Sequence, residues 1–251
     1  MGSFASTAEF YSRYREHYLP KFFKTAAEQM ALCGDEVLLD VGCGPGLLAI
    51  GFAPFVGRCI GLDPEPAMIA AAKVAAEEAA AKVSFITGRF EEFQTDNSFG
   101  VVTIGRTLHW LNQSEALPLL EKIVAESGRI LICGASIVED PISPWLATYN
   151  HVRRSWASDT DQGRYQVDAR AWFASSQFTE VSVISVAECR HVTIAELIGR
   201  ALSRSTTSPA ILGKRRAAFE ADVTAALKPF VEQGVLREQI VARASVFARV
   251  R

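Results

Sequence analysis

The sequence has little that would tie it to a metal, a membrane or a nucleic acid. Its five cysteines, Cys33, Cys43, Cys59, Cys133 and Cys189, are scattered, odd in number and form no C-x-x-C pair. Such a set argues against a disulfide framework and suits a reducing cytoplasm. Cys43, Cys59 and Cys133 fall in or beside expected strands, where a thiol serves as a small apolar filler. The four histidines, His17, His109, His151 and His191, lack metal-ligand spacing, so no metal is expected. With 26 basic against 28 acidic residues the net charge is −2, and no global field favours nucleic acid. The short run Lys214-Arg215-Arg216 reads as a solvated helix face. No apolar run approaches the ~20 residues of a membrane span, and no charged, apolar and small-residue succession marks a secretory signal. The expectation is a cytoplasmic protein, monomer or homodimer, free of membrane and nucleic-acid partners. Its apolar fraction of 49% is enough for a full core.

What the chain does have is a glycine loop in strand context. Residues 37–46 read Val-Leu-Leu-Asp-Val-Gly-Cys-Gly-Pro-Gly, and a helix-compatible stretch follows at once. Asp63 closes the next apolar run. Glycines at such a bend let the backbone turn sharply and approach a ligand, since no Cβ intervenes. An acid ending the neighbouring strand is placed to receive a ribose diol. A dinucleotide fingerprint would need a third glycine where Leu47 stands. Asp40 at the mouth of the loop would repel pyrophosphate but suits a ligand carrying ammonium and sulfonium charge.

This pattern resembles the first motif of class I S-adenosylmethionine (SAM)-dependent methyltransferases, in the small-molecule branch that holds trans-aconitate-type and natural-product enzymes. Ile60-Gly61-Leu62-Asp63-Pro64-Glu65-Pro66-Ala67-Met68 is similar to the family's ribose-binding segment. Phe85 to Phe93 occupies the adenine-side segment, and Val101 to Trp110 resembles the end of strand four in that branch. Two departures stand out. Ser127-Gly128-Arg129 replaces a commoner Pro-Gly-Gly turn, and Arg89 stands where relatives often place an acid facing the adenine amine. Phe90 backbone or Glu91 is then left to hold the adenine edge. The resemblance implies a cofactor set of Asp40, Gly42, Cys43, Gly44, Gly46, Asp63, Pro64, Met68, Arg89, Phe90, Gly105 and Arg106. It implies SAM as cofactor, S-adenosylhomocysteine (SAH) as product, and no metal. Met68 and Phe90 are candidates to sandwich the adenine, or equally core residues.

The segment pattern agrees with that family's fold. Expected strands at 36–41, 57–62, 82–87, 99–105 and 128–134 alternate with helices at 46–55, 66–80 and 114–126. Aromatic and charged residues over 7–30 read as a helix or helix pair interrupted near Pro20. Beyond 135 the expectation is helices at 143–157, 165–176, 193–205 and 209–231, with strands at 177–187 and 238–250. The fold class is α/β: a Rossmann-like, doubly wound, mainly parallel seven-stranded sheet whose last strand is antiparallel. One methyltransferase domain would span 1–251, with an N-terminal helical lid over 1–35 and a SAM-binding core over 36–134. Substrate-cap helices and the last two strands would fill 135–251.

Methyl transfer asks the protein mainly to orient the acceptor and exclude water, with a base only where the acceptor must lose a proton. His109, a few residues past strand four, is the candidate base, or else a histidine bound to backbone under a helix. Trp110 would stack an acceptor or, the better reading, pack as core. Arg106 offers a planar fork for an acceptor carboxylate, or pairs with a local acid such as Glu139. Tyr11, Tyr14 and Tyr18 share a helix face and Trp145 lies in the later insertion; these complete the candidate acceptor set. The acceptor is read as a planar heterocycle or a carboxylated metabolite methylated on N or O. The alternative reading is a non-catalytic SAM-binding or scaffold protein.

Overall fold

The computed structural model describes Phe10, Tyr14, residues 18–157 and residues 167–250. Tyr11 therefore lies outside the described residues. Seven strands form one sheet in the order β3-β2-β1-β4-β5-β7-β6, mostly parallel, with antiparallel last strands. They are β1 (Val37–Val41), β2 (Arg58–Asp63), β3 (Val83–Thr87), β4 (Phe99–Gly105), β5 (Val124–Ile137), β6 (Phe178–Val192) and β7 (Leu236–Arg249). The parallel pairs run in register, with Asp40 opposite both Gly61 and Thr103, and Asp63 opposite Thr87. The described residues divide into two compact units, one of residues 18–134, 167–186 and 242–250, the other of Phe10, Tyr14, 135–157 and 187–241.

In the first unit, helix α1 (Pro20–Gln29) begins at the proline, whose missing N–H costs nothing at a first helical position. Its Phe23 meets Phe52 edge-on at 5.0 Å, which seats it on α2 (Leu47–Phe52). Helix α3 (Pro66–Glu78) again opens on proline and buries Met68, Ile69, Ala72 and Ala76, a spacing that puts one stripe inward. Helix α4 (Gln113–Ile123) is capped by Asn112, whose side chain accepts the Ser114 N–H. It passes directly into β5 at Val124, two to three residues before the expected helix end. The core gathers Leu39, Val41, Ile60, Leu62, Val102, Ile104 and Ile130 from the strands with Trp172, Phe173 and Phe247.

In the second unit, α5 (Leu146–Ser155), α7 (Ile194–Leu202) and α9 (Arg216–Leu227) enclose a core of Trp145, Tyr149, Leu197, Phe219, Val223 and Leu236. A capping box between Thr193 and Glu196 starts α7. The single helix expected over 209–231 is two: α8, Pro209–Leu212, and α9. Gly213 at φ +52 breaks them. The helix expected at 165–176 is held to α6 (Ala169–Phe173). Glu238, wholly buried, receives Arg200 through two bonds of 2.8 and 3.0 Å and Arg190 Nε at 2.6 Å.

Candidate functional site

The loops after β1, β2, β3 and β4 leave neighbouring strands at the same end of the parallel sheet, where ligands of open α/β sheets sit. Gly42, Gly44 and Gly46 all adopt left-handed backbone, with φ of +64, +53 and +84. A Cβ on Gly42 would lie 2.2 Å from the Thr107 methyl, whereas one on Gly44 would meet no atom of the described residues within 4 Å. The first glycine makes room for protein; the second faces none of the described residues.

Two carboxylates brace this loop from behind. Asp63 Oδ2 accepts the Gly44 N–H at 2.8 Å, and Oδ1 accepts the Glu65 N–H at 2.9 Å. Burial raises its pKa, the charge of Glu65 adds to this, and the two amide bonds pull it back. Asp40 is 1% exposed. It accepts Thr103 Oγ1–H at 2.8 Å and the Ala49 N–H at 3.1 Å, which anchors the start of α2 to the strands. Burial pushes its pKa to about 7, the two donors opposing the shift and the Asp63 charge adding to it. Cys43 is buried, and burial, with the charges of Asp40 and Asp63 adding to it, holds its thiol well above the usual range.

On the β3 side, Phe90 packs in the core. Met68 is likewise buried on α3. Arg89 is exposed and lies 3.6 Å from Glu91 and 3.7 Å from Glu92. Glu91 also accepts the Asn112 N–H at 2.9 Å, which commits its carboxylate to the loop before α4. Pro64 is exposed beside Asp63.

The end of β4 carries the remaining candidates of the first unit. Arg106 adopts φ +58, a left-handed conformation unusual for a residue with a Cβ, and strain of this kind gathers at functional sites. Its guanidinium carbon lies 5.5 Å from the centre of the Tyr18 ring. Gly105 stands beside them: a Cβ there would lie 2.5 Å from Leu48 and 3.3 Å from the Tyr18 hydroxyl. His109 is half-buried, its ring 5.0 Å from that of Trp110. Trp110 is 38% exposed, against the expectation of core packing. It sits on a short 3-10 turn that turns its side chain outward.

Two acceptor candidates belong to the second unit. Trp145 is 1% exposed, meets Tyr149 edge-on at 5.8 Å and donates its ring N–H to the Arg237 carbonyl at 2.7 Å. So buried, with its donor occupied, it packs as a core residue rather than as an exposed wall for an acceptor. Tyr14 lies over Gly199, where a Cβ would come within 2.5 Å of its ring. Its ring stacks on Phe10 at 6.2 Å. Sequence reasoning missed Thr107 and Thr103, whose hydroxyls tie β4 to Gly42 and Asp40. A lone threonine has no sequence signature, and both partners lie far away along the chain.

Comparison with known proteins bears on this site. Residues 38–128 match the family described as a methyltransferase domain. The uncharacterized methyltransferase YcgJ of Bacillus subtilis is 28% identical over 157 residues, 56% of this chain and 62% of that protein. The chain spans between 36% and 62% of the length of the first curated relatives it matches. Among solved structures, a provisionally assigned type II methyltransferase from Anaeromyxobacter dehalogenans superposes with a TM-score of 0.69 at 16% identity. It covers 94% of this chain and 98% of that one. A SAM-dependent methyltransferase from Geobacter sulfurreducens, solved with SAH, gives 0.54 at 17% identity over 97% and 98% of the two chains. At these identities the structural likeness speaks for the fold.

Proposed function

We propose, from a chain that carries a methyltransferase domain of the class I, SAM-dependent type over residues 38–128, that the protein methylates a small molecule on nitrogen or oxygen. The observation that carries the reading is the Asp63–Gly44 bond beneath open space. An acid at the tip of β2 and an amide of the glycine loop already share one orientation, with room above Gly44 for a ligand. The residues present fit SAM. Asp63 accepts the ribose hydroxyls, the left-handed glycines let the methionine portion lie against backbone, and Gly88 to Phe90 offers main chain to the adenine edge. Asp40, behind the loop, is about half-ionised near neutral pH, and in its ionised form it favours the ligand's ammonium group. Pro64, Cys43 and Gly46 complete the proposed donor-binding set.

The sulfonium, when bound, supplies a methyl group already activated for displacement. The protein's work is then orientation and exclusion of water. Tyr18 and Arg106 stand at the end of β4, where Arg106 suits an acceptor carboxylate and the Tyr18 ring suits a cationic neighbour. His109, half-buried at the same end, takes the proton of an O–H or N–H acceptor near neutral pH. Trp110, 38% exposed at the same end, is the candidate to stack a planar acceptor. Among the described residues no helix is long and apolar enough to cross a membrane. We further read the protein as cytoplasmic, acting as monomer or homodimer through one functional domain, without a metal and without nucleic acid.

The test is a methylation assay with labelled SAM and two acceptor panels, planar heterocycles and small polycarboxylates. Label transferred to either panel supports the reading. Tight SAH binding with no product from either panel, nor from a metabolite extract, would leave a SAM-binding protein without this chemistry.

A further inference from the structure

We infer that Thr107 is a positioning residue, one that locks the glycine loop to the end of β4 and holds Arg106 in its left-handed conformation. The inference rests on the donor-binding reading above and adds a residue to it. Thr107 Oγ1 lies 3.2 Å from the Gly42 carbonyl and 3.1 Å from the Gly105 carbonyl. Its single proton is therefore shared between the donor-side loop and the acceptor-side strand end. Its methyl fills the space that a Cβ on Gly42 would take, 2.2 Å from that position. Its own carbonyl accepts the Trp110 N–H at 2.8 Å and starts the turn that carries His109.

Arg106 lies between the two ends of the Thr107–Gly105 bond. That bond reaches back over two residues and closes a small ring around Arg106, whose φ of +58 would otherwise relax toward extended or helical backbone. With Arg106 so held, its guanidinium stays over Tyr18. One hydroxyl thus couples the loop that receives the donor to the residues that face the acceptor. Loss of the proton would loosen Gly42 and release Arg106 together, while loss of the methyl alone would leave both bonds in place.

Three substitutions separate these roles: Thr107→Val keeps the shape without the proton, Thr107→Ser keeps the proton without the methyl, and Thr107→Ala removes both. The readouts are SAH binding by calorimetry and the melting temperature. The Val variant should bind SAH about tenfold more weakly or worse, and the Ser variant should recover to within about threefold of wild type. Melting temperatures should stay within a few degrees. If the Val variant does not fold, the Ala and Ser pair decides, since they differ by the hydroxyl alone. Val equal to wild type, or Ser as weak as Ala, overturns the inference while leaving donor binding intact. Wild-type protein that ignores SAH overturns the donor-binding reading and this inference with it.

Discussion

Asp63 and Gly44, nineteen positions apart in sequence, are joined by a 2.8 Å bond from the Gly44 N–H to the Asp63 carboxylate. The glycine accepts left-handed backbone at φ +53, and a Cβ there would touch none of the described residues. Gly44→Ala should therefore fold, losing roughly the ~1–2 kcal/mol of a left-handed residue with a Cβ. The new methyl would stand in the space assigned to the ligand. SAH affinity should fall at least about tenfold, and calorimetry beside a urea melt separates the two effects.

Asp40 makes stability depend on pH. Burial raises its pKa from 3.8 to about 7, so between those values the folded chain holds a proton that the unfolded chain releases. Stability is then greatest below the unfolded pKa and falls as pH rises toward 7, levelling above it. A rise of that size limits the effect to about 4 kcal/mol. Asp40→Asn should flatten this part of the profile, and its melting temperature should gain on wild type from pH 5 to pH 8. Parallel profiles for the two proteins would count against an acid buried in this way.

His109 separates chemistry from binding. With an acceptor in hand, His109→Gln should lower kcat by about a hundredfold or more if the imidazole takes the acceptor's proton. SAH affinity should not change. Equal turnover in the variant would assign the ring to packing beside Trp110.

Glu238 carries a stability prediction for the second unit. It is wholly buried and meets two arginines, so Glu238→Ala leaves Arg200, itself 1% exposed, without its carboxylate. A loss of about 3–5 kcal/mol is expected, read as a lower urea midpoint. Arg190→Ala should cost much less, because its side chain is one-third exposed and water can replace part of the contact.

The first four strands were legible because they are short apolar runs with glycine, proline or acid at their ends. Pro20, Pro66 and Asp63 each sit at the boundary their chemistry suggests. The passage from α4 into β5 was less so: Val124 to Ser127 suits either conformation, and pairing with Phe99 decides it. The aromatic residues misled for a different reason. Trp145 and Trp110 look alike in sequence, yet one is closed off by Tyr149 and Arg237 while the other stands on a turn facing outward. Residue type reports the capacity to stack, and long-range packing decides where that capacity is used. Thr103 and Thr107 were invisible because their roles exist only once β4 lies beside β1.

The claim beneath all of this is that Asp63 and the glycine loop hold a SAM-type donor. Calorimetric titration of SAH into the wild-type chain and into Asp63→Ala tests it most directly. The expected result is saturable binding by wild type and at least about tenfold weaker binding by the variant, as loss of hydrogen bonds to a charged group would give. Binding that is the same in both, or absent from wild type, would contradict it.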